Sequence, residues 1–579
     1  MISIRLVSFL ILSLIAFPPN PVWSAVPTAE NETAAVSPAL TTSGKGVQVD
    51  FFAEPLDKET ASAQAGLNAG QAVRLGFKIM DAKSGYGVSD LHPAGWIFRR
   101  QENEAAPDKG ACKENVKKFA RGGVSVQTEA DLNNFYVVTI NQDNTVAIFN
   151  PSVNLATSNL LALIALKEKA ANWLFDEPQG LMYITLPDAG KVAVVDIFTR
   201  QLAAAIKVGS GPRAIGRLPD SRFLWVGNDQ SKSLSIIDTS ERKVVKSFRM
   251  GPGPYKFAFD PKMKWVFALS SGDGKVTVFR ITDLAKIKTF KVPPGDLRFA
   301  FSELARAIYV ADRATGGLHI ISVESGDEFK TIDLKPGITE IKVTPDGRFV
   351  FILNEQENRL DVLDTSLSRV IQSFHTWEKP YQVEFSLSYA YVRYKENPNI
   401  SLIQLSALKG ENAPPFAEIP LGTKGPGALS DLVGMSQIAI LPEGAGAMVV
   451  GSVDKTVYLY MEGGMMGPSN SFKTYTSTPL GVTIYDHSLT ETNTAGVYDT
   501  TVRLPEGGTY DIYFLLDSPL MTSCFAIEVK GPVLDHKKKG PAGVFTRVGE
   551  EAVYREDEVA KIRFKLVSSE DQKPISGRK

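Results

Sequence analysis

An apolar pair followed by a polar or charged residue recurs through the middle of the chain at a fixed interval. Val194-Val195-Asp196, Ile236-Ile237-Asp238, Val278-Phe279-Arg280, Ile320-Ile321-Ser322 and Val362-Leu363-Asp364 stand 42 residues apart without drift. Before each lies a short β-rich run and a polar turn, as in Phe223 to Val226 and then Asn228-Asp229-Gln230. After each comes a further turn and strand, such as Val244 to Met250, and then Gly/Pro punctuation, as at Gly209 to Pro212 and Gly251 to Pro254. Four short strands per repeat of this length make one blade of a β-propeller. The 3.6-residue apolar spacing of a helical solenoid is absent. A single blade cannot cover both of its faces, so the copies must stack around a ring.

Less regular copies flank the five. Tyr136 to Leu163 fits one before; Tyr381 to Leu421 and Ser436 to Met461 fit two after, separated by a Gly/Pro-rich insertion at Gly422 to Gly434. The reading is an all-β chain with an eight-bladed propeller over residues 123–462, or seven blades if the last piece only closes the ring. The 47 glycines and 34 prolines suit so many turns.

These repeats resemble YVTN-type bacterial β-propellers and the eight-bladed heme d1 propeller of cytochrome cd nitrite reductases. The resemblance implies a central channel lined by the first strand of each blade. Apolar residues of that strand are Trp173, Ile215, Phe257, Phe299, Ile341 and Val383. Side chains alternate along a strand, so the preceding column, Asn172, Ala214, Lys256, Arg298, Glu340 and Gln382, is expected to face the channel. Lys256 and Arg298 then form a cationic side of the mouth suited to an anionic group, with Arg offering a two-pronged fork. Glu340, Gln382 and the loop residues Asp312 and Arg313 complete the expected ligand site. Propellers of the heme d1 type hold their cofactor with histidine. His319 and His375, the two histidines of the repeats, read as packing or edge residues, so heme d1 stays an alternative cofactor. No C-x-x-C-H occurs, which excludes an attached c-type haem.

The flanks have another texture. Val47-x-Val49-x-Phe51 and Val73-x-Leu75-x-Phe77-x-Ile79 alternate before the propeller; Val482-x-Ile484, Tyr498-x-Thr500-x-Val502, Tyr510-x-Ile512-x-Phe514 and Phe525-x-Ile527-x-Val529 alternate after it. Gly496-Val497-Tyr498, the turn Leu504 to Gly508 and Tyr510 resemble the later strands of small exported Ig-like domains of the YtkA/FixH type. The expectation is one Ig-like sandwich from residues 46–122 and 463–531, with the propeller inserted. Glu558 to Leu566 echoes Gln71 to Ile79, so 541–579 reads as the opening of a second copy.

Residues 1–24 read as a secretory signal: Arg5, an apolar run from Leu6 to Phe17, and a cleavage pattern at Val22-Trp23-Ser24. Residues 25–45 read as a flexible leader. A periplasmic or secreted chain without a membrane span follows. In such a compartment Cys112 and Cys524, the only cysteines, either form one disulfide or stay as two thiols. With 63 basic and 64 acidic residues the chain shows no footprint for nucleic acid. Met461, Met465, Met466 and Met521, with His92 or His487, are weak candidates for copper, because thioethers suit Cu(I). His92 to Trp96 reads as a segment packing Trp96 on the propeller's flank. The expected function is an exported binding or accessory protein for a redox or metal system, acting on a periplasmic protein partner or a small anionic ligand. The alternatives are a heme d1 carrier or oxidoreductase, and a lactonase-like hydrolase using Glu340, Asp312 and Asp229 on a metal.

Overall fold

Within the repeats the backbone keeps the 42-residue period in its bulges and turns. Val194/Val195, Ile236/Ile237, Val278/Phe279, Ile320/Ile321 and Val362/Leu363 are each the site of a register shift against the fourth strand of their blade. The bulge lets both members of the pair lie buried, one against each neighbouring blade. The turns repeat as well. Gly190, Lys232, Gly274, Gly316 and Asn358 all take the left-handed conformation, and so do Arg200, Arg242, Leu284, Gly326 and Ser368. Each series steps by 42 residues, which makes the repeat a backbone property and not only a side-chain one.

The computed structural model describes residues 40–56, 66–101, 104–120, 129–151, 160–219, 221–409, 416–421, 435–442, 444–463, 467–474 and 477–532, with the strand backbones of 543–548 and 563–568. The signal segment, most of the leader, Met465, Met466 and the insertion at 422–434 lie outside the described residues. No helix among the described residues is long and apolar enough to cross a membrane.

Eight four-stranded antiparallel sheets form the propeller. Blade 2 comprises Asn172–Asp176, Leu181–Leu186, Lys191–Asp196 and Gln201–Lys207. Blades 3 to 8 begin at Pro212, Tyr255, Leu297, Ile338, Pro380 and Ile438. Blade 1 is composite. Its outer strands are Phe135–Asn141, Thr145–Phe149 and Leu160–Ala165, and its innermost strand is Pro479–Asp486, from the other end of the propeller. The propeller therefore runs past the expected limit at 462. Asn470–Lys473 is the fourth strand of blade 8, and the Val482-x-Ile484 alternation belongs to the ring rather than to the sandwich. A ring must close somewhere, and pairing the two ends of the repeat array removes both free edges.

Two five-stranded sheets pack face to face beside the ring, and each takes strands from both sides of the propeller. The first orders Leu40–Gly44, Val47–Pro55, Ala72–Asp81, Val497–Arg503 and Thr490–Glu491. The second orders Leu67–Asn68, Leu520–Lys530, Gly508–Asp517, Ala94–Arg99 and Ala130–Asp131. Leu40–Gly44, assigned to the leader by composition, is an edge strand; an edge pairs through its backbone and needs no apolar side chains. Val49, Phe51, Leu75, Phe77, Ile97, Tyr510, Phe514 and Phe525 share the core between the sheets.

A helix, Lys109–Ala120, lies outside the second sheet and is joined to it by the Cys112–Cys524 disulfide. Phe119 of the helix packs on Trp96, Phe98 and Tyr513 of the sheet in an aromatic cluster. Trp96 therefore packs within the sandwich and not on the propeller, and His92 is exposed. The sandwich is anchored to the ring by Arg503, which donates to Asp196 at 2.6 Å and to the Gln179 carbonyl at 3.1 Å in blade 2. Gly543–Val548 and Arg563–Ser568 pair as a two-stranded sheet.

Candidate functional site

Blades stand edge-on to the channel, so the two faces of each innermost strand look towards the neighbouring blades. Trp173 and the apolar column face backwards: a Cβ on Gly481 of blade 1 would meet the Trp173 ring at 2.1 Å. The polar column faces forwards, to the next blade. Arg298 Nε of blade 5 donates to the Thr339 carbonyl of blade 6 at 2.5 Å. Glu340 of blade 6 accepts from the Val383 N–H of blade 7 at 2.7 Å. Gln382 of blade 7 accepts from the Gln437 N–H at 3.0 Å and donates to Ser436 Oγ at 2.7 Å, both beside blade 8. The column thus bridges blade to blade around the ring rather than pointing straight into the channel. One step deeper, Lys342 of blade 6 reaches Glu384 of blade 7 at 2.6 Å.

Above the column the loops carry a chain of alternating charges. Arg298 pairs with Asp296 at 2.6 Å, Asp296 with Arg313 at 3.5 Å, Arg313 with Glu355, and Glu355 with Lys395 at 2.6 Å. Burial opposes the Asp296 charge, but Arg298 and then Arg313 hold its carboxyl below the ordinary range. Arg298 is therefore committed to Asp296 and to Thr339. Asp312 is buried and accepts from Ala314 N–H at 3.0 Å and Thr315 Oγ1 at 2.9 Å, so it shapes its own turn.

Lys256 of blade 4 differs from the rest of the column. Its ammonium makes no hydrogen bond or ion pair among the described residues, although it lies in the field of Arg298, Asp296, Glu340 and Asp229 from three other blades. Burial first, and the Arg298 charge second, push its pKa down to about 8, against the pull of the three carboxylates. Glu340 moves the opposite way. Burial raises it to about 7, with Lys342 opposing and Glu384 assisting. Burial also raises Asp229, which accepts from the Tyr255 N–H at 3.3 Å. A half-buried, unpaired lysine beside a Glu340 carboxyl raised to about 7 makes this side of the channel receptive to negative charge.

The other expected ligands are scattered. Met461 lies at the end of a blade 8 strand, exposed. Met521 sits in the sandwich core, and His487 is buried against Tyr136 and Tyr485 where ring and sandwich meet. Burial lowers the His487 pKa to about 4. No group of three or more His, Cys, Asp or Glu among the described residues is placed to hold a metal. His319 Nδ1 lies 3.0 Å from Glu328 on the third strand of blade 5, and His375 ends the fourth strand of blade 6. Neither histidine is on an innermost strand. Among the described residues, the innermost strands thus present no histidine to a haem iron.

Sequence reasoning missed Asp296 as a partner of Arg298, and it missed Arg393. In blade 7 Gln382 pairs with Arg393, whereas in blade 6 Glu340 pairs with Leu353. The first hairpin of blade 7 is two residues shorter than its neighbour's, so a fixed 42-residue register slides past the arginine.

No family model matches the chain, and no curated sequence does. Many solved structures share its fold. Dihydro-heme d1 dehydrogenase NirN, solved with DHE, is 17% identical, covering 63% of this chain and 78% of its own, with a TM-score of 0.50. Hydrazine synthase of Kuenenia stuttgartiensis is 15% identical over 51% of this chain and 96% of its own, at a TM-score of 0.40. A protein of unknown function from Desulfotomaculum acetoxidans is 13% identical over 61% of this chain and 99% of its own, at 0.41. The chain is a β-propeller protein, a fold it shares with NirN, and at these identities the likeness speaks of fold alone.

Proposed function

We propose that this chain is an exported binding or accessory protein whose propeller holds a small anionic ligand over Lys256, in the service of a redox or metal system. The observation that carries the reading is the unpaired ammonium of Lys256 in a column whose charged neighbours are each bonded to the next blade. The Cys112–Cys524 disulfide favours an oxidising compartment. A carboxylate or oxyanion would take the Lys256 ammonium as its counter-charge, and Glu340, when protonated, would donate to it. Arg298, held by Asp296 and Thr339, sets the positive field without moving. Titration calorimetry with succinate and with phosphate tests the reading. Lys256→Met should weaken the better-bound anion at least tenfold, while Arg359→Gln, remote from the column, should leave it unchanged. Equal affinity in the wild type and Lys256→Met would overturn it.

A further inference from the structure

Blade 7 carries an arginine where every sister blade has a small, hydroxyl or aliphatic side chain. Opposite the polar column the second strands read Ile140, Thr185, Gly227, Leu269, Ala311 and Leu353 in blades 1 to 6, and Val450 in blade 8. In blade 7 the residue is Arg393, fully buried between blades 7 and 8. Nη2 donates to the Val450 carbonyl at 2.7 Å, and Nε to Gln437 Oε1 at 3.4 Å. Both acceptors are neutral, and so is the Tyr381 hydroxyl that also lies in hydrogen-bond contact with the guanidinium. Nη1 is buried and has no partner. Asp454, a carboxylate of the same seam, accepts from the Tyr458 hydroxyl through one oxygen, leaves the other buried without a partner, and makes no ion pair with Arg393.

A guanidinium removed from water without a counter-ion is strongly disfavoured, and one N–H left unbonded adds to the cost. A water molecule would satisfy the N–H but not the charge. A monatomic anion does both, and it needs no shaped array of donors. We propose that the seam between blades 7 and 8 is an enclosed site for a small inorganic anion of halide size, seated on Nη1 of Arg393. The anion would be a structural part of the ring at the blade next to its closure.

The test is the denaturation of the full mature protein in sodium gluconate, with chloride or bromide substituted at constant ionic strength. An anion bound by the folded state alone lowers the unfolding equilibrium constant tenfold for each tenfold rise in halide above its dissociation constant. That slope is expected in the wild type. Arg393→Leu, which restores the side chain of blades 4 and 6, should fold and give a flat response. Bromide should also show anomalous scattering beside Arg393 in a crystal, which keeps the proposal testable if Arg393→Leu is unstable. A wild type indifferent to halide, or a slope unchanged in Arg393→Leu, would overturn it.

Discussion

Lys256→Met should stabilise the protein at neutral pH even as it removes the proposed ligand contact. The ammonium releases its proton near pH 8 instead of 10.5. At roughly 1.4 kcal/mol for each tenfold change in proton affinity, holding the charge costs the folded state about 3 kcal/mol. Methionine fills similar volume with no charge to desolvate, so most of that cost should be recovered. The sign of the pH dependence follows. Below pH 8 both folded and unfolded lysine are protonated and the penalty is complete. Between 8 and 10.5 the unfolded chain binds the extra proton, so wild-type stability rises with pH. The advantage of Lys256→Met should thus be greatest at pH 7 to 7.5 and shrink towards zero near pH 10. Urea denaturation of both proteins at four pH values across this range measures it. A variant less stable than wild type at pH 7, or a gap that does not change with pH, would refute the reasoning. A functional residue that destabilises its own fold is what a site built for an absent counter-charge should show.

Three further outcomes are expected. Arg217→Leu removes two hydrogen bonds from the buried Asp176 carboxylate, at 3.0 and 2.8 Å; it should cost about 1–3 kcal/mol in urea unfolding, with the seam of blades 2 and 3 gaining proteolytic cleavage. Gly481→Ala drives a methyl into Trp173 at the composite blade and should cost about 1–3 kcal/mol, read from the shift of the unfolding midpoint. Cys112→Ser with Cys524→Ser should lose about 2–4 kcal/mol and speed hydrogen exchange in the Lys109–Ala120 helix, whereas an unchanged midpoint under reducing conditions would deny the bridge a structural role.

The ring was legible because its period is written in backbone chemistry. A bulge that buries two successive apolar side chains, and left-handed turn positions filled mostly by Gly, Asn, Lys or Arg, with Leu284 and Ser368 among them, recur at the same spacing. The closing strand was not legible. Pro479–Asp486 alternates as a sandwich strand does, and its partner Phe135–Asn141 lies at the far end of the repeats. Lys256, Arg298 and Glu340 were found from the register alone. Their orientation was not, because alternation says that two columns face opposite ways without saying what each faces. In a ring of edge-on blades the answer is the neighbours, and so Arg298, expected as a fork for ligand, is spent on Asp296 and Thr339. Arg393 lay hidden behind a shortened hairpin.

The central claim is that Lys256 is a free cation waiting for an anion in the channel. Amine-selective labelling of the intact protein, read by mass spectrometry at Lys256 across pH 6 to 11, tests it most directly. The account predicts a reactivity midpoint near pH 8 and protection by the anion that binds best. An ordinary lysine midpoint near 10.5 with no protection would contradict it.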